Sequence, residues 1–124
     1  MDKIKLTSYL TVNGIKETNV NNEYIGNMKK NILTYNEGQT EVKIKLNKNS
    51  LSMCRKTDEY EITMDFDLDK KTSGNYNIYK IGNVDLNIKT SFLNIEEGNI
   101  ELSYVLDINN NHDKYNFILK FEVI

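Results

Sequence analysis

Arg55 sits in the inward phase of a strand whose other inward members, Leu51 and Met53, are apolar. A guanidinium in such a place can pair with a carboxylate or phosphate through two parallel hydrogen bonds. Ser8, Thr90 and Tyr104 are further polar residues in inward phase, and Met53, Met64 and Phe66 supply apolar surface beside them. Together Arg55, Met53, Met64, Phe66, Thr90 and Tyr104 read as the lining of a small ligand site with Arg55 as anchor. A plainer reading puts the Arg55 guanidinium in water with its stem on a rim, and Thr90 and Tyr104 bonded to main chain.

The other reactive residues point to no chemistry. Asp65, Asp67 and Asp69 alternate like the start of a calcium loop, but the sixth position is Lys70 instead of glycine and the twelfth is Tyr76 instead of a bidentate glutamate. They read as a solvated strand face. His112, the single histidine, lies among Asn109, Asn110, Asn111 and Asp113 with no second metal-ligating partner, and reads as a turn residue. Cys54 is the only cysteine, in the wet phase of its strand, with only Arg55 adjacent to activate it; it reads as an inert thiol. Neither a nucleophile elbow nor a glycine-rich phosphate loop is present. The expectation is therefore no enzyme, no metal and no cofactor.

What must position these residues is a succession of β-strands. From Ile4 to Val123 apolar residues recur at every second position, the pattern of half-buried strands. Ile4, Leu6, Ser8, Leu10 and Val12 face one way and are followed by Asn13-Gly14, a strong hairpin signal. A return strand begins at Ile15; the polar run Asn19-Val20-Asn21-Asn22, with Gly26 beyond, reads as edge-like or bulged. A strand over residues 31–36 then leads to a turn at Glu37-Gly38. Val42, Ile44 and Leu46 form the next dry face, and Tyr60, Ile62, Met64 and Phe66 return after Thr57-Asp58. The chain crosses Gly74 and Gly82 into Val84, Leu86, Ile88, Thr90 and Phe92. Ile100 to Ile108 and Tyr115 to Val123 make two long closing strands. Tyr35, Tyr79, Val105 and Ile118 fall in the outward phase, where, if gathered, they would form a partner surface.

Short connections leave no room for crossover helices, so sequential antiparallel pairing follows. Eight to ten such strands can hide their apolar faces by curling into a barrel or by stacking as two sheets, and hairpin-by-hairpin order favours an all-β, antiparallel, up-and-down barrel formed by one domain over residues 1–124. At 124 residues there is length for one core only. A net charge of -2 supplies no basic field for nucleic acid. The charged N-terminus, the absence of an apolar run of membrane length and the lone cysteine point to the cytoplasm, with no membrane partner.

Arg55, the strand Met64-Asp65-Phe66, Lys71-Thr72-Ser73-Gly74-Asn75-Tyr76, Gly82 and Leu86-Asn87-Ile88-Lys89-Thr90 stand in an order that resembles the YwiB-like family, small β-barrel proteins of low-GC Gram-positive bacteria with no established activity. Lys5-Leu6-Thr7-Ser8-Tyr9 and the closing hairpin with Tyr104 extend the resemblance over nearly the whole chain. It implies a calycin-like barrel similar to lipocalins and fatty-acid-binding proteins. The reading that results is a binder of a small amphipathic or acidic ligand in the lumen. Its alternative is a side-chain-filled barrel that binds a partner, or itself as a homodimer instead of a monomer, through its outer face or edge.

Overall fold

The computed structural model describes residues 2–16, 22–108 and 110–124. Among the described residues the regular structure is all strand: β1 (Asp2–Val12), β2 (Ile15–Lys16), β3 (Glu23–Lys29), β4 (Ile32–Glu37), β5 (Thr40–Leu46), β6 (Ser50–Lys56), β7 (Tyr60–Asp67), β8 (Thr72–Ile78), β9 (Gly82–Glu96), β10 (Asn99–Ile108) and β11 (Asn111–Val123). From β3 onward each strand pairs antiparallel with the next. β11 then returns to β1, from Ile4↔Val123 to Val12↔Tyr115. Ten strands thus close an up-and-down barrel, consistent with the calycin-like architecture expected. Closure pairs the edges that an open sheet would leave as templates for other chains.

β2 stands outside this wall. Asn13 and Gly14 both have positive φ, 52° and 82°, as a tight hairpin turn requires. Asn13 then ties the turn to β11: its amide donates to the Lys114 carbonyl at 2.7 Å and its Oδ1 accepts from the Lys114 amide at 2.9 Å. The return strand reaches only Lys16, and β3 takes over the same edge of β1 lower down, from Thr7↔Glu23 to Asp2↔Met28. The edge-like reading of residues 19–21 lies outside the described residues, as does Asn109.

The strands differ from the sequence reading in several places. β8 is a full strand, paired with β7 from Tyr60↔Ile78 to Met64↔Gly74 and with β9 along its length. Its burial does not alternate cleanly, so its periodicity is hidden in sequence. Phe92 points outward and is 45% exposed, because Ser91 is an extra residue in the β9–β10 ladder, where Tyr104↔Thr90 is followed by Ser103↔Phe92. The bulge reverses the phase of β9, and Leu93 packs on the core instead. His112 is the second residue of β11, paired with Asp107, and not a turn residue.

The inward faces meet in one core. Ile4, Leu6, Leu33, Val42, Ile44, Leu51, Phe66, Ile100, Leu102 and Leu119 are fully buried. They fill the barrel toward the end that carries the β3–β4, β5–β6, β7–β8 and β9–β10 turns. The opposite end is built differently.

Candidate functional site

At that opposite end the inward layer is incomplete. A cavity of about 300 Å³ remains there, lined by Leu10, Met53, Arg55, Ile62, Met64, Tyr76, Leu86, Tyr104, Leu106, Ile108, Tyr115 and Phe117. These residues lie near the ends of β1, β6, β8 and β10 and near the starts of β7, β9 and β11, which meet at one rim. Tyr104 marks the boundary between hollow and solid. Its ring lies 4.6 Å from that of Phe66 and stacks on Tyr115 at 4.9 Å with 4° between the planes. Parallel rings at that spacing leave a flat aromatic wall beside aliphatic neighbours.

Four of the six residues singled out in sequence, Met53, Arg55, Met64 and Tyr104, come together on this wall. Phe66 does not reach the cavity: it is fully buried and packs against Tyr104. Thr90, the ladder partner of Tyr104, is also buried away from it, and its Oγ1 has no hydrogen-bond partner among the described residues. Ile62, Tyr76, Leu106 and Tyr115 were not singled out as site residues. The signal for them is positional: inward phase near the strand ends of one rim.

Arg55 does not extend alone into water. Its Nη1 lies 2.5 Å from Oε1 of Glu37, and the side chains are 21% and 5% exposed respectively. Glu37 is not part of a turn but the last residue of β4, in register behind Leu33 and Tyr35. That phase also carries Tyr35 inward, to 3% exposure, where the sequence places it outward. The phase is set by Gly26, the ladder partner of Tyr35. A Cβ there would strike Thr34 carbonyl oxygen, Tyr35 and Leu6, so only glycine leaves room for the tyrosine to fold over β3. Glu37 and Arg55 face each other across β5, which pairs with both their strands.

Burial raises the Glu37 carboxyl above its ordinary 4.5, while the Arg55 charge and hydrogen bonds from Arg55 and Tyr24 pull it back only in part. The Tyr24 and Tyr35 hydroxyls are raised as well, first by burial and then by the Glu37 charge. Burial likewise raises Tyr104. The Arg55–Glu37 contact is a close ion pair between side chains that are both largely withdrawn from water. A buried acid and a half-buried base thus form a pair at the rim of an apolar hollow.

The remaining candidates are accounted for locally. Asp65 accepts from Ser52 Oγ at 2.7 Å and Asp67 from the Asp69 amide at 2.9 Å. Among the described residues no three His, Cys, Asp or Glu side chains are grouped to hold a metal. His112 is bonded to Asp107 on the exposed surface. Burial raises the Cys54 thiol, the direction of an unreactive cysteine. A larger depression of about 610 Å³ lies where β7 and β8 part beyond Met64↔Gly74, lined by Ser50, Asp65, Asp67, Lys70 and Lys71, with Leu51 and Phe66 of the core also in its lining. Its lining is more polar than apolar.

The molecule is therefore a closed ten-strand antiparallel barrel, solid toward one end and hollow toward the other. The family model described as "Domain of unknown function (DUF1934)" matches residues 4–119. The chain belongs to that family. Among solved structures it is similar to the ywiB protein from Bacillus subtilis, with a TM-score of 0.66 and 16% identity over 99% of this chain and 92% of that one. Fold and family agree with the resemblance carried by Arg55, Gly74 and Tyr76. None of the curated proteins matches the chain. Among the described residues no helix is long and apolar enough to cross a membrane.

Proposed function

We propose that the protein is a non-enzymatic binder of one small amphipathic molecule, which lies in the hollow end of the barrel with its polar end at Arg55. One observation carries this reading: a cavity of about 300 Å³, walled by Met, Leu, Ile and stacked Tyr side chains, has among the described residues a single cationic group, Arg55, in its lining. That volume is at the small end of ligand sites, which are mainly apolar with a few placed polar groups. A chain or ring of modest size fits the description, and a large lipid does not.

The outer wall supports a partner surface less well. Tyr9 and Ile118 are ladder partners, but Ile118 is followed by Glu101 and Asn94. Phe92 stands beside Ser103, then Asn116, and Val105 between Lys89 and Lys114. Outward apolar residues are thus separated by polar neighbours instead of merging into a patch. An apolar interior with a polar wall is also the reverse of a membrane barrel. A cytoplasmic address suits these features.

The test is uptake of an uncharged environment-sensitive dye, N-phenylnaphthylamine, by wild type and by Leu106→Trp. Leu106 lines the cavity and is only partly buried, so a larger ring there fills the hollow with little disturbance to the packed end. Saturable fluorescence in the wild type, weakened about tenfold or more in the variant with an unchanged melt, is expected. Equal uptake by both proteins would remove the lumen as the site.

A further inference from the structure

Arg55 suggests a ligand with an acidic head, but its charge is already opposed. The Glu37 carboxylate lies 2.5 Å from the guanidinium, its side chain 5% exposed, on a strand that fixes its direction. The groups that face Glu37 are Arg55 from β6, Tyr24 from β3 and Tyr35 from its own strand. Among the described residues Arg55 is the one cation that faces Glu37. A ligand carboxylate that reached Arg55, which lines the cavity, would meet a positive charge already paired at 2.5 Å with a buried negative one, and would lose its water for little net attraction. An uncharged polar head does not face that cancellation. A guanidinium has five N–H donors and Glu37 engages one edge, so a hydroxyl or carbonyl oxygen can accept from the others.

We infer that Glu37 is a specificity-determining residue that makes the hollow end select uncharged amphipathic molecules, such as alcohols, amides or esters, over carboxylates of the same chain. This rests on the lumen being the binding site and deepens that reading. Glu37 acts against the wrong ligand by repulsion, while the apolar wall supplies attraction common to both.

The test measures n-octanol and octanoate as competitors of bound N-phenylnaphthylamine at neutral pH, where octanoate is ionised. Wild type is compared with Glu37→Gln and with the double variant Glu37→Gln/Arg55→Gln. Freed of its partner, Arg55 should raise octanoate affinity relative to n-octanol by about tenfold in Glu37→Gln, and the double variant should return the ratio to that of wild type. A ratio in Glu37→Gln within about threefold of wild type would overturn the role of Glu37. Should Glu37→Gln lose its cooperative melt, Glu37→Met serves the same arm with the same two outcomes. Failure of dye and both competitors to bind any of these proteins would instead sink the lumen reading, and this inference with it.

Discussion

Replacing Gly26 by alanine tests the packing that brings Glu37 into the barrel. The added Cβ would land on the Thr34 carbonyl oxygen, 2.8 Å from Tyr35 Cβ and 2.9 Å from Leu6 Cδ1. The first obstacle is backbone, and the other two belong to residues 3% and 0% exposed. The Thr34 oxygen and Tyr35 Cβ cannot step aside without moving a strand, and Leu6 Cδ1 can do so only by repacking within the core. Overpacking of this kind costs about 1–3 kcal/mol. Stiffening of the unfolded chain by alanine gives back about 0.4–1 kcal/mol. A net loss centred on about 1.3 kcal/mol and reaching at most about 2.6 kcal/mol follows, or roughly 4–10 °C in melting temperature for a domain of this size. Urea denaturation followed by circular dichroism measures the loss, with amide exchange on β3 and β4 reporting where it falls. Gly38→Ala is the comparison, since Gly38 has nothing within 4 Å and only a left-handed φ of 61° to oppose the substitution. It should weaken the fold without raising exchange along β3. A Gly26→Ala protein as stable as wild type, with β3 amides equally protected, would refute the close-approach argument.

Two further outcomes follow from buried polar atoms. Thr90→Val removes a hydroxyl that has no hydrogen-bond partner among the described residues while keeping the branched shape, so stability should rise by about 1 kcal/mol, and a clear loss in the same urea assay would count against this. Glu37 has a carboxyl raised in the folded state, so the folded protein holds more protons than the unfolded chain between the ordinary value of 4.5 and the raised one. Its contribution therefore makes stability fall as pH rises through that window, and Glu37→Gln should flatten that part of the pH–stability curve. A curve unchanged by the substitution would show that burial does not govern Glu37.

Much of the barrel is legible because a strand with one dry face must repeat every two residues. Val42, Ile44, Met53, Met64, Leu86 and Leu119 are buried as that rule requires, and Asn13-Gly14 turns as its residue types demand. The reading fails where the period is interrupted or the cue is polar. A single inserted residue, Ser91, turns Phe92 outward, and insertions leave no mark in composition. Glycine and asparagine in β8 obscure its alternation. Arg55 was recognisable by its inward phase, whereas its partner was not, because Glu37 beside Gly38 looks like a turn. Following Leu33 and Tyr35 two residues further along the same face is the signal that would have found it. The cavity itself depends on side chains failing to meet across a barrel, which no local pattern encodes.

The seam between β1 and β11 also shapes how the chain is made. Nine consecutive residue pairs join the first strand to the last, from Ile4↔Val123 to Val12↔Tyr115, and the Ile124 amide adds a bond to the Lys3 carbonyl at 3.0 Å. A chain emerging from the ribosome cannot form this junction until its final hairpin is synthesised, however early the intervening meander zips up. Until then it is an unrolled ribbon with its greasy side uncovered, the stage at which a chaperone would have most to shield.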